Sequence, residues 1–141
     1  MIEISCKESK LLQHFFPDEE GLHQAFFDEK MGKAWVDDAS NPTAIAICAG
    51  DFCYLAGDAS RPQAKELLQY IQKHYDKEDI ILLPMDEAWG TLAEGHFGIA
   101  AQKVKRYAMQ PPKNGFDSAL LQQYILYLPT GYTIRPIDES I

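Results

Sequence analysis

The sequence predicts a mixed α/β fold (α+β): a sheet made of an antiparallel meander and one parallel crossover, with helices on both faces. Two observations carry that expectation. Between Gly32 and Tyr75, three short extended runs (Lys33 to Asp37, Ala44 to Cys48 and Phe52 to Ala56) follow one another and lead into a helical pattern. Ile80-Ile-Leu-Leu83 then reads as a fully buried strand, because it is wholly apolar, β-branched and too short for a helix. Strand, helix, strand in that order implies a parallel pair, since parallel strands need a long crossover between them.

The elements follow in order. Leu11, Leu12, Phe15 and Phe16 lie at helical spacing, and Ser9 is placed to cap that first helix. Pro17 separates it from a second helix whose apolar side is Leu22, Ala25 and Phe26, with Asp18, Glu19 and Glu20 at its positive end and Gly32 as its stop. Gly50-Asp51 is a two-residue turn of the kind that closes a tight hairpin. That register sets Cys48 directly opposite Cys53, and in a reducing compartment the pair is expected to remain two packed thiols.

The turn Gly57-Asp-Ala-Ser-Arg-Pro62 feeds the central helix. Ser60 with Gln63 reads as a capping box, so the helix is expected to begin near Arg61. Its apolar stripe is Leu67, Leu68, Ile71 and Tyr75. After the buried strand, Met85, Ala88, Trp89 and Leu92 form a further helix face, with Asp86 and Glu87 in the first turn and Gly95 as the end. A long strand is expected from Ile99 to Met109, its one face carrying Lys103, Lys105 and Tyr107. A last helix, with Leu120, Leu121, Tyr124, Ile125 and Leu128 apolar, precedes a closing strand from Tyr132 to Arg135.

Composition restricts function. The 141 residues are 46% hydrophobic, enough for one domain, 1–141, with its own core. A formal net charge of −8 argues against a nucleic-acid partner. No apolar run reaches membrane-spanning length and the first residues lack the pattern of a secretory leader, so a cytoplasmic protein is expected. Asp37, Asp38 and Asp51 are acidic residues near predicted strand ends, but the expectation is solvated carboxylates and no metal. His14, His23, His74 and His96 have no Ser, Cys or second His at catalytic spacing, and no catalytic residue is assigned. Tyr107 beside Arg106 is a candidate proton donor to an acceptor groove, weighed against simple packing under a helix.

The element order resembles that of the GNAT acyltransferases, and particular residues narrow the likeness. Gly32-Lys-Ala-Trp-Val-Asp37, Asn41-Pro42, Gly50-Asp51-Phe52, Leu55-Ala-Gly-Asp58, Pro84 with Trp89, Arg106-Tyr107, Phe116 with Leu120, and Leu128-Pro-x-Gly-Tyr132-x-Ile-Arg135 resemble the N-terminal half of GNAT acetyltransferases of the zwittermicin A resistance type. The likeness runs from about His14 to Asp138. It implies acetyl-CoA as cofactor, and as partner a C-terminal GNAT domain that carries the coenzyme signature, or a homodimer mate.

In such enzymes a Gln/Arg-x-x-Gly-x-Gly/Ala loop grips the pyrophosphate through backbone N–H groups at a helix N-terminus. Here the corresponding turn has one glycine, the carboxylate of Asp58 and Pro62, which lacks an N–H. The residues left to hold a coenzyme phosphate are Gly57, Ser60 and Arg61. The loop is thus degenerate, and the domain is expected to be inactive alone. The alternative is a stand-alone, non-catalytic module that binds a protein or small ligand.

Overall fold

The computed structural model describes residues 1–17, 21–75, 79–105, 113, 115 and 117–134. They belong to two compact units, Met1–Lys103 and Val104–Ile141.

The first unit is built on a five-stranded sheet: β1 (Ile2–Ile4), β2 (Lys33–Val36), β3 (Ala44–Ala49), β4 (Phe52–Gly57) and β5 (Ile81–Pro84), lying side by side in chain order. The first three pairings are antiparallel, and β4 with β5 is parallel. Crossing between those two is α2 (Pro62–His74), as the strand-helix-strand order required. The mixed α/β expectation holds. β1 was not foreseen, because three residues carry too little pattern to read; the sheet recruits them by pairing Ile2 with Val36 and Ile4 with Ala34.

Alternation along β2, β3 and β4 divides the apolar residues between two faces. Trp35, Ala44, Ala46, Cys48, Cys53 and Leu55 share one core with Leu67, Leu68 and Ile71 of α2 and with Trp89 and Ala93 of α3 (Glu87–Phe97). Ala34, Val36, Ile45, Ile47 and Ala56 share the other with Leu12 and Phe16 from the 3-10 helix Cys6–Phe15 and its end, and with Phe26 of α1 (Gln24–Phe27). Helices therefore cover both faces. Each fully buried Leu or Ile stabilises the fold by about 1.5–3 kcal/mol.

Gly50 has φ +60°, the left-handed conformation a tight hairpin turn needs, and Ala49 pairs with Phe52 across it. Cys48 does face Cys53, but the two are joined in a disulfide instead of packing as thiols. Cys6 is free.

Other expectations are corrected. The first helix has 3-10 geometry and begins at Cys6, so Ser9 lies inside it, buried, and caps nothing. The second shrinks to the single turn of α1. The Ser60/Gln63 capping box does not form: α2 starts at Pro62, Arg61 holds the cap position with no side-chain bond, and the Ser60 hydroxyl turns back to Asp58. A proline at the first helical position suits the helix without that cap.

β5 is not fully buried. Among the described residues it pairs with β4 alone, and Ile81 at this edge is 41% exposed. Helix α3 runs through Gly95 and stops at Gly98, where φ is +54°. Residues Gly98–Ala100 make a 3-10 turn and 101–105 carry no strand, so the long strand from Ile99 is absent through Lys105; Arg106 to Met109, with Tyr107, lie outside the described residues. Lys103 instead pairs with Glu94 of α3, which raises its pKa.

In the second unit, α4 (Ser118–Ile125) is capped by Asp117, whose carboxylate accepts from the backbone of Ala119 and Leu120 at 2.9 and 3.0 Å. The helix ends three residues before Leu128, its last bonds tightening to Tyr127 N–H on Tyr124 O and Leu128 N–H on Ile125 O. Residues 132–134 are not in a strand, and Arg135 lies outside the described residues.

Candidate functional site

The parallel pair gives the first unit a polarity. β4 and β5 both end at one rim of the sheet, at Gly57 and Pro84, and α2 and α3 begin just beyond. Carboxyl ends of parallel strands are where ligands lodge in open α/β sheets, and helix N-termini favour anions there.

The ladder between β4 and β5 closes with Met85 N–H on Leu55 O at 2.9 Å. Beyond it the Gly57 carbonyl accepts from the indole Nε1 of Trp89, also at 2.9 Å. Trp89 is fully buried, and a buried indole N–H needs such an acceptor. On its other side Gly57 pairs with Ala44, and a Cβ built on it would lie 2.2 Å from the backbone oxygen of Thr43. With φ +99° as well, the glycine is required by the close approach of the chain's own β2–β3 connection.

The next residues form a closed knot. One Asp58 carboxylate oxygen accepts from the Ser60 N–H at 3.0 Å and from the Ser60 hydroxyl at 2.6 Å; the other accepts from Arg61 Nε at 3.2 Å. The Ser60 hydroxyl, then its N–H and the Arg61 guanidinium, lower the pKa of Asp58, so it is a carboxylate at neutral pH. The start of α3 is arranged similarly: Asp86 caps it and accepts from Trp89 N–H at 2.9 Å. Both helix starts at this rim thus have a carboxylate of the chain itself on nearby backbone N–H groups.

Of the residues the sequence singles out, Gly57, Ser60 and Arg61 do come together at the rim, but Ser60 and Arg61 point their donors at Asp58. The contributions of Thr43, Asp86 and the Trp89 indole were missed. The sequence reading takes Trp89 as part of an apolar helix face and of the resemblance; the requirement that a buried indole find a partner is the signal for its hydrogen bond.

The three aspartates do not gather. Asp37 and Asp38 precede β3 while Asp51 follows it, about 20 Å of extended chain away for six residues. Asp37 binds Thr43 N–H, Thr43 Oγ1 and Ala44 N–H at 2.8, 2.6 and 3.0 Å, stitching β2 to β3. Burial pushes its pKa up, but these hydrogen bonds together outweigh that and leave it lowered. Asp38 turns its loop by accepting from Ser40 and Asn41. Among the described residues no group of three or more His, Cys, Asp or Glu side chains could hold a metal ion. The histidines are dispersed: His23 is buried among rings, His74 lies against Trp35, and His96 bonds Gln72.

The GNAT acetyltransferase family pattern matches residues 10–141, and the chain belongs to that family. Its fold is similar to the crystal structure of a GCN5-related N-acetyltransferase-like protein from Streptococcus suis 89/1591, with a TM-score of 0.72 and 26% sequence identity. The likeness covers 90% of this chain and 49% of that one, so this chain spans about half the length of its structural relative. Among curated proteins none matches. No helix of the described residues is long and apolar enough to cross a membrane.

Proposed function

We propose that this chain is the N-terminal half of a two-domain, acetyl-CoA-dependent N-acetyltransferase of the zwittermicin A resistance kind, and that this half does not grip the coenzyme at its β4–α2 turn. Acetyl-CoA is the cofactor that family membership implies. The observation that carries the reading is the Asp58 knot. A pyrophosphate there competes with Asp58 for the Ser60 N–H and hydroxyl and for Arg61 Nε, and lies beside that carboxylate, a like-charge contact. Pro62 offers it no N–H.

In this reading one coenzyme site, in a C-terminal GNAT domain, serves the whole enzyme. The present domain contributes walls to the acceptor groove and the inter-domain contact; a homodimer mate takes that place if the C-terminal domain does not. The doubled length of the Streptococcus suis relative supports this division.

Calorimetric titration with acetyl-CoA tests it. The wild type is expected to give no saturable heat at millimolar ligand. Asp58→Ala, which frees the Ser60 and Arg61 donors, is expected to gain weak binding that Arg61→Ala in the same background removes. Saturable binding by the wild type that weakens in Arg61→Ala would refute the proposal.

A further inference from the structure

The paired cysteines have no part in the rim just described. Cys48 and Cys53 lie opposite each other on β3 and β4 and are joined in a disulfide. Cys48 is 4% exposed and Cys53 not at all. Ladder pairs hold the strands in register on both sides of the bond: Ala46 with Leu55 and Ile47 with Tyr54 toward the rim, and Ala49 with Phe52 toward the Gly50 turn. The sheet therefore keeps the two residues opposite each other whether or not their sulfurs are bonded. They are five apart in sequence, so the bond closes a short loop and restrains the unfolded chain little. The fold is expected to survive its reduction.

What shields the bond is α2. This helix leaves β4 at the rim and returns the chain to the start of β5, where Ile81 pairs with Phe52 beside the Gly50 turn. Its C-terminal half therefore lies over the end of the sheet that holds the cysteines. The aromatic contacts agree. Trp35 of β2, on the cysteines' face and paired with Ala46, meets Tyr70 and His74 of α2 at 5.8 and 5.0 Å between ring centroids. Ile71, in the same half of the helix, is buried in one core with both cysteines. Exchange needs a thiolate to reach a sulfur, and burial denies that access while α2 is seated. The free thiol of Cys6 packs against the core on the other face of the sheet, so it is no rival partner.

From this arrangement we propose that Cys48 and Cys53 form a reversible redox site gated by α2, which passes between disulfide and dithiol only when the helix lifts from the sheet. A thiolate of an external dithiol attacks the sulfur of Cys48, the more exposed of the two residues. The Cys48–Cys53 bond breaks as a mixed disulfide forms, and Cys53 leaves with the electron pair and takes a proton. The second thiolate of the reagent then attacks its own sulfur in the mixed disulfide and releases Cys48, which is protonated in turn. Two electrons and two protons pass to the pair, and the external dithiol becomes a disulfide. An external disulfide runs the same steps backwards, with the register returning each sulfur to its partner. This inference does not depend on how the coenzyme is held.

Dithiothreitol is the probe, added to the full chain, with free thiols counted by mass after alkylation at timed intervals. Reduction of the folded chain is expected to be at least about a hundredfold slower than in urea, where no helix covers the bond. Ile71→Val loosens the seat of α2 by one buried methylene and is expected to speed reduction about two- to tenfold. Ile45→Val makes the same deletion in the core on the other face and is expected to stay within about twofold of wild type. After the reductant is exchanged for oxidised dithiothreitol, peptide mapping is expected to find the Cys48–Cys53 bond restored and Cys6 free. Reduction as fast as in urea, equal rates for the two variants, loss of the folded state on reduction, or a bond drawn from Cys6 would each overturn the proposal.

Discussion

Replacing Gly57 by alanine separates a glycine kept for the fold from one kept for a phosphate. At this position the added Cβ would sit 2.2 Å from Thr43 O, 2.9 Å from Thr43 C and 3.0 Å from Ile45 Cδ1. The first two atoms are backbone, and Thr43 is fixed by the Asp37 carboxylate and by Asp58 N–H, which donates to its oxygen at 2.7 Å. Relief therefore requires moving a strand connection. The unfavourable φ contributes about 1–3 kcal/mol. Displacing the connection adds about 1–3 kcal/mol, the usual range for overpacking. The sum, about 2–6 kcal/mol, is a large share of the ~5–15 kcal/mol that holds a domain together.

Gly50→Ala is the internal control. It also has positive φ, +60°, but nothing lies within 4 Å of its added Cβ. It should cost only the backbone part, about 1 kcal/mol. Urea denaturation of the two variants, compared at equal m-value, measures the difference. A Gly57→Ala cost no larger than that of Gly50→Ala would refute the close-approach argument and reopen the case for a glycine kept for ligand access.

Four more outcomes follow from the structure. Trp89→Phe leaves the Gly57 carbonyl without its indole donor and should destabilise by about 1–3 kcal/mol in denaturant titration. Asp37 has a lowered folded-state pKa, so its contribution is complete above the unfolded value near 3.9 and is lost as pH falls through the folded value. Asp37→Ala should therefore lose stability relative to wild type at pH 7, with the gap narrowing below about pH 4 in acid titrations followed by circular dichroism. Thiol titration in denaturant should find one reactive group, Cys6, without reductant and all three cysteines after reduction. Removing the disulfide by a Cys48→Ala, Cys53→Ala double change should cost about 2 kcal/mol, since the closed loop is short.

The sequence by itself determined the elements whose pattern is local. The extended runs 33–37, 44–48 and 52–56, the Gly50-Asp51 turn and the stripe of Leu67, Leu68 and Ile71 each need only neighbouring residues to be read, and each stands in the structure as expected. So does the parallel crossover, because chain connectivity leaves few alternatives.

What only tertiary structure decided lies where one residue answers to another far away in the chain. β1 exists because β2 offers it an edge, and Ile81 is exposed because β5 has β4 alone beside it among the described residues. Ser60 abandons its capping role since Asp58 offers its hydroxyl a charged acceptor, a stronger bond than a neutral one. Gly57 is fixed by Thr43, and its carbonyl by Trp89, thirty-two residues on. Such pairings depend on distance in space, and no periodicity along the chain records it.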